Sequence, residues 1–214
     1  MSLPENFPIS PHQILHPDIR WFPADSSLNS IKHKLLPPLV TNLRNLVKKF
    51  RDSNYSDASE TSRNLLNWWF NETHYINSDN EFSSTFEYYF AQREAIETLI
   101  YLYDVEKITT QEELIKFDSS GLLVPAMFSQ DWRRYVIKLA TGAGKTEVLS
   151  LAIVWSYFHK LYEKNSGMSN NFLLIAPNVI VLERLMSDFE GGKIFYEDPL
   201  IPKNNYEGQA WEND

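Results

Sequence analysis

Residues 135–146, Tyr-Val-Ile-Lys-Leu-Ala-Thr-Gly-Ala-Gly-Lys-Thr, constrain this chain more than any other part of it. Tyr135, Ile137 and Leu139 alternate with Val136 and Lys138, the rhythm of a short strand. Gly142, Ala143 and Gly144 are small enough for the backbone to curl into a nest of N–H groups. Such a nest at a helix start suits a phosphate. A helical run follows, with Val148, Leu151, Ala152, Trp155 and Tyr162 along one side, and it stops at Asn165-Ser166-Gly167. Strand, small-residue loop and helix in this order predict a phosphate-binding loop, and a Gly-rich turn met by chance would not supply all three. The candidate nucleotide-binding residues are therefore Thr141, Gly142, Ala143, Gly144, Lys145 and Thr146. Lys145, the candidate catalytic cation, reaches for the β- and γ-phosphates, and the Thr146 hydroxyl is the candidate ligand of Mg²⁺. The expected cofactors are ATP and Mg²⁺. One position departs from the strict G-x-x-x-x-G-K-[ST] pattern, because Leu139 stands where the first glycine would be.

Whole-chain properties bound what surrounds this loop. The 214 residues are 43% hydrophobic and 14% aromatic, enough for a packed core. A net charge of −8 argues against a broadly basic nucleic-acid surface, although a local one stays open. The absence of cysteine excludes disulfides, thiolate nucleophiles and Cys-zinc sites. The five histidines, at 12, 16, 33, 74 and 159, lack ligand spacing. The opening Met-Ser-Leu-Pro-Glu-Asn lacks the charge and apolar run of a signal peptide, and no stretch is apolar enough to span a membrane. A cytoplasmic, membrane-free protein is expected.

The chain divides by rhythm. Residues 1–35 are punctuated by Pro4, Pro8, Pro11, Pro17 and Pro23 and predict an extended N-terminal arm. Residues 36–131 read as a mainly helical leader. Within it, 38–52 is an amphipathic helix with Leu39, Leu43, Leu46, Val47 and Phe50 on one side. Arg44, Lys48, Lys49 and Arg51 lie on the other side, either a solvated face or, less simply, a phosphate-touching one. A second helix spans about 58–70, and its Trp68-Trp69 pair suits packing better than base stacking. Residues 71–83 look like a polar loop. Ser84-x-x-Glu87 has the capping-box pattern for a helix over about 85–105, and Thr110-x-x-Glu113 repeats it for a shorter one. From residue 132 the pattern is strand (134–139), helix (144–163), strand (172–176), helix (179–190), the alternation of a parallel α/β sheet. The predicted fold class is thus α/β: an α-helical leader followed by an incomplete RecA-like ATP-binding domain over 132–214. After Gly191-Gly192 periodicity fades.

Two more features bear on function. Gln92 sits in Phe-Ala-Gln-Arg-Glu-Ala-Ile-Glu-Thr, residues 90–98. Its amide pairs a donor with an acceptor, matching the N6/N7 edge of adenine. With a phosphate-binding loop downstream, Gln92 becomes a candidate adenine reader, the long spacing being taken up by residues 107–131. The other feature is Phe172-Leu-Leu-Ile-Ala-Pro-Asn178, a buried strand ending at a helix start. Pro177, Asn178 and Arg184 are candidate nucleic-acid-binding residues, because free N–H groups at a helix start favour an anionic backbone. Ordinary capping by Asn178 explains the same residues equally well.

Taken together, the Gln92 segment, Ala-Thr-Gly-Ala-Gly-Lys-Thr at 140–146, and Ala-Pro-Asn with its Leu-Glu-Arg-Leu helix resemble the start of a superfamily 2 DEAD/DEAH-like helicase motor. They are most similar to the helicase part of type III restriction enzyme subunits. Leu-Leu-Asn-Trp-Trp-Phe (65–70) and Lys-Ile-Phe-Tyr-Glu-Asp-Pro-Leu-Ile-Pro (193–202) are similar to a bacterial subgroup of such helicases, so the resemblance covers roughly 38–202. It implies ATP-driven movement on nucleic acid, double-stranded DNA first, and a methyltransferase subunit as partner. Such motors also use an Asp-Glu pair on a later strand and arginine fingers on a second RecA-like domain, and neither is spelled after Asn178. Ile100-Tyr-Leu-Tyr-Asp104-Val-Glu106 imitates the acidic box but precedes the loop in a helical run. No Asp-x-Lys or Glu-x-Lys of a restriction-type nuclease occurs.

The favoured expectation is the N-terminal piece of an ATP-dependent DNA helicase or translocase that is not catalytically complete alone. A small P-loop kinase fits less well, because only 68 residues follow Thr146. A self-contained non-catalytic nucleotide-binding or interaction module is the remaining alternative. An Asp-Glu-x-His-like box encoded downstream would separate the first reading from the last.

Overall fold

The computed structural model describes residues 39–77, 83–127 and 134–214. The predicted N-terminal arm, 1–35, lies outside the described residues. The described residues are mostly helical, and their only sheet has two antiparallel strands. In chain order the elements are α1 (Val40–Asp52), α2 (Glu60–Asn71), β1 (His74–Asn77), β2 (Ser83–Phe86) and α3 (Phe90–Ile100). They are followed by α4 (Lys145–Tyr162), α5 (Val179–Phe189) and α6 (Lys193–Glu197). Short turns of 3₁₀ helix at Glu112–Phe117 and Pro125–Met127 lie between α3 and α4.

The amphipathic pattern of 38–52 forms α1 as expected. Val47 and Phe50 are buried, and Arg44 and Arg51 are drawn inward. Arg44 pairs with Glu94 at 2.8 Å, and Arg51 with Glu97, whose side chain has no exposed surface. The basic side of α1 is thus partly spent on carboxylates of α3. Arg93 Nε at 2.8 Å and the Tyr55 hydroxyl at 2.6 Å complete the shell around Glu97. A buried carboxylate is tolerated only when paired and hydrogen-bonded in this way.

Ser59 caps α2, its hydroxyl accepting from Ser62 N. Trp69 is buried and Trp68 partly so. Their indole N–H groups donate to the Leu200 and Pro199 carbonyls at 2.7 and 2.9 Å. The tryptophan pair is therefore packing, as its spacing suggested. Leu65, Leu66, Ile96, Ile100, Leu151, Val154, Trp155 and Phe158 join it in one core, closed from the C-terminal side by Leu200 and Trp211. That core binds the leader helices α1–α3 directly to α4, the helix that follows the glycine-rich loop.

Three expectations about local structure are corrected. Residues 71–83 are not simply a loop. His74–Asn77 pairs with Ser83–Phe86, with His74 opposite Phe86 and Asn77 opposite Ser83. Ser84 therefore sits in a strand, and the helix starts six residues later at Phe90. Gln92, rather than Glu87, reaches back to the cap, its Oε1 accepting from Tyr89 N at 2.7 Å. After Gly191-Gly192 the chain re-enters a helix, α6, because positive φ at both glycines turns it back onto the core.

The parallel sheet is absent among the described residues. Residues 134–139 and 172–176 have no regular secondary structure and make no ladder. Val136, Leu173 and Ile175 are 84, 83 and 81% exposed. A strand exists only through its neighbour's N–H and C=O groups. Alternation and β-branching mark these segments as candidate strands, but among the described residues the one ladder is that of β1 with β2. The α5 residues Val179, Ile180 and Met186 are exposed beside them.

Candidate nucleotide-binding site

The loop before α4 has the backbone that its glycines allow. Gly142 and Gly144 have φ of +80° and +70°, a region that side-chain-bearing residues rarely enter. Gly144 is the N-cap of α4 and provides no capping side chain. The N–H groups of the first turn of an α-helix have no partner within the helix, and its dipole adds partial positive charge. Thr141 and Gly142 are exposed, whereas Ala143, Gly144 and Thr146 are half-buried. The Lys145 ammonium lies across the loop, donating to the Ala140 carbonyl at 2.8 Å. The arrangement suits an anion of phosphate size. The loop offers N–H donors without competing side chains, and the exposed Lys145 ammonium rests on the Ala140 carbonyl.

Gln92 meets this loop directly. It is 5% exposed, and its Nε2 donates to the Gly144 carbonyl at 3.4 Å. A methyl group at Gly144 would come within 2.1 Å of that nitrogen. Glycine is thus required at 144 twice, for its φ and for the approach of Gln92. The structure brings Gln92 and Gly144–Thr146 together across 52 residues of sequence. In this conformation both ends of the amide are engaged, the oxygen by Tyr89 N and the nitrogen by Gly144 O.

A cleft of about 340 Å³ opens beside this contact, with Gln92, Gly144, Thr146 and Glu147 on one side and Asp188, Lys193 and Asp198 on the other. Glu147 was not singled out from sequence. Among the described residues its Oε1 is buried without a hydrogen-bond partner, and so is the Tyr88 hydroxyl. Burial, with the charge of Asp198 added, pushes the Glu147 carboxyl up to about 7. Burial and Glu197 likewise raise Asp198. The only sequence signal for Glu147 is its place directly after Lys145-Thr146. Asp198 reaches the cleft through tertiary structure alone.

Asn178 caps α5, its Oδ1 accepting from Val181 N at 3.0 Å, while Pro177 and Arg184 are exposed. Asp104, in the imitation acidic box, is buried. It accepts from Ser59 N at 2.8 Å and from Lys107 at 2.9 Å. Among the described residues no group of three or more His, Asp or Glu could hold a metal ion. Nor, among them, is any helix long and apolar enough to cross a membrane.

Neither a curated protein nor a solved structure matches the chain. The family described as "Type III restriction enzyme, res subunit" matches residues 85–213, more than half of the 214. The match takes in Gln92, the whole loop and helices α3–α6. This chain therefore belongs to the type III restriction enzyme res-subunit family of helicase-type, ATP-dependent restriction proteins.

Proposed function

We propose that this chain is the nucleotide-holding part of an ATP-dependent DNA translocase, with residues 132–214 as the first part of a RecA-like domain and 36–131 as its helical leader. The observation that carries this reading is the Gln92–Gly144 contact at the uncapped start of α4, beside a loop with two positive-φ glycines. The residues present fit Mg²⁺-ATP. The N–H groups of Gly142–Thr146 donate to phosphate oxygens, and the Ala143 N–H and the Lys145 ammonium leave the Ala140 carbonyl for them. The Thr146 hydroxyl would hold Mg²⁺, which when bound neutralises phosphate charge. Gln92 exchanges the Gly144 carbonyl for the edge of adenine, so base recognition and loop geometry are linked. Pro177, Asn178 and Arg184 face the DNA backbone, with Arg184 as its cation.

In this reading residues 134–139 and 172–176 become sheet strands when neighbours pair with them. A methylating subunit is the expected protein partner. The chain alone does not turn over ATP at speed, because it spells neither the later Asp-Glu pair nor arginine fingers.

The test is calorimetric titration of the 214-residue chain with ATP, ADP and GTP, alongside Lys145→Ala. Adenine nucleotides are expected to bind more tightly than GTP, and the variant to lose at least tenfold in affinity. Wild-type binding that survives Lys145→Ala unchanged, or no nucleotide binding at all, removes the site. Phosphate release at several turnovers per second in the wild type, lost in the variant, would show that the chain is catalytically complete.

A further inference from the structure

On the side of the molecule reached through β1 and α6 lies a second cavity, of about 360 Å³. This is within the roughly 300–1,000 Å³ usual for small-ligand sites. Its walls combine aromatic rings with carboxylates. Trp68, Tyr75 and Tyr196 supply the rings, and Glu197, Asp198 and Glu212 the carboxylates. Tyr75 and Tyr196 are 64 and 78% exposed. Aromatic rings lining a concavity together with a few polar groups are the usual composition of a small-ligand pocket.

The wall is well fixed. Trp68 is pinned to the Pro199 carbonyl at 2.9 Å, and its ring packs edge-on to His74 and Tyr206 at 4.9 and 5.0 Å. The His74 ring nitrogen sits 2.6 Å from the Trp68 carbonyl, and burial lowers the pKa of the ring, which favours its neutral form. The charge balance is negative. Among the described residues Lys203 is the one lysine or arginine on the wall, against three carboxylates. Glu197 has Lys193 at 3.6 Å, outside the cavity lining. Among the described residues no cation pairs with Asp198, and its carboxyl is raised by burial and by Glu197. Negative charge beside the electron-rich faces of aromatic rings attracts an organic cation and repels a phosphate. The cleft beside Gly144 also carries carboxylates, Glu197 and Asp198 among them, but it has the glycine-rich loop to draw a phosphate; this cavity has none in its lining, so a nucleotide or DNA strand is the wrong occupant.

We propose that this cavity, with Trp68, Tyr75 and Tyr196 beside the carboxylates of Asp198 and Glu212, binds an organic cation: an ammonium or guanidinium group carrying an alkyl collar. The rings cover the collar, and the carboxylates take the charge. The group can arrive as a free small molecule or as an arginine or lysine side chain of another protein.

The intact chain is titrated by saturation-transfer NMR at constant ionic strength with three probes. These are tetramethylammonium, the neutral isostere tert-butanol, and N-acetyl-arginine amide. The expected result is saturable binding of at least one cationic probe, with tert-butanol about tenfold weaker. Tyr196→Ala and Asp198→Asn are each expected to weaken the cation by about three- to tenfold. Tyr196 is exposed, so Tyr196→Ala should leave the fold intact, which a thermal melt checks. Preference for the arginine amide assigns the site to a protein-borne side chain, and preference for tetramethylammonium to a free cation. Equal binding of tert-butanol and the cations overturns the proposal. So does a lack of saturable binding by either cation, or unchanged affinity in both variants with unchanged melting.

Discussion

Replacing Glu147 by glutamine tests the electrostatics of the cleft beside the glycine-rich loop. The carboxyl is held at about 7 against its ordinary 4.5, by burial first and then by the charge of Asp198. Asp198, the Tyr88 hydroxyl and Gln92 surround it, and Asp188, Glu197 and Lys193 line the same cleft; Lys193 pairs with Glu197 at 3.6 Å, and among the described residues no cation pairs with Glu147. The folded state therefore binds a proton at Glu147 more tightly than the unfolded chain does. That extra stability is fully present below about 4.5 and is lost as pH rises through about 7. Each tenfold change in the acidity constant is worth about 1.4 kcal/mol, which puts the whole loss at roughly 3 kcal/mol above pH 8. The side chain lines an open cleft, and water screening cuts this to about 1–2 kcal/mol. Glu147→Gln keeps the shape and removes the titration. It is expected to stabilise the protein by about 1–2 kcal/mol at pH 8.5 and to change it little at pH 4.5. Urea unfolding at both pH values, followed by tryptophan fluorescence, measures the difference. Destabilisation of the same size at both pH values would refute the reasoning, since it would make Glu147 a packing residue with a satisfied charge.

Glu97→Ala leaves Arg51 and Arg93 without their shared buried partner, and a loss of about 3–5 kcal/mol is expected in urea unfolding at neutral pH. Gln92→Ala removes the backbone contact at Tyr89 and the clasp on Gly144. It should lower stability by about 0.5–2 kcal/mol by thermal melt and erase any preference for ATP over GTP in titration. Gly144→Ala places a methyl group against Gln92 at a positive φ, so a destabilisation of more than about 1 kcal/mol is expected, smaller in the Gln92→Ala background. The exposed Leu173 and Ile175 should drive self-association, measured by light scattering, and Leu173→Glu with Ile175→Lys should suppress it.

Much of the local structure was legible along the chain, because it depends on neighbours in sequence. The apolar spacing of 38–52 and the run after Thr146 produced α1 and α4 within a residue or two of expectation. Gly142 and Gly144 announced the positive-φ loop, since only glycine enters that region freely. The family resemblance rested on the same short segments, and the matched region contains the Gln92 segment, the loop and the α5 segment. What depends on distant partners was not legible. Ser84 and Glu87 spell a capping box, yet pairing of Ser83–Phe86 with His74–Asn77 overrides it and passes the cap to Gln92. Residues 134–139 and 172–176 have the composition of strands, but a strand is a property of two segments, and among the described residues neither forms a ladder with a second one. The contact between Gln92 and Gly144 and the meeting of Glu147 with Asp198 likewise belong to the tertiary structure. Each joins residues about 50 apart, through a core in which α3, α4 and the Leu200 segment close on the same apolar side chains.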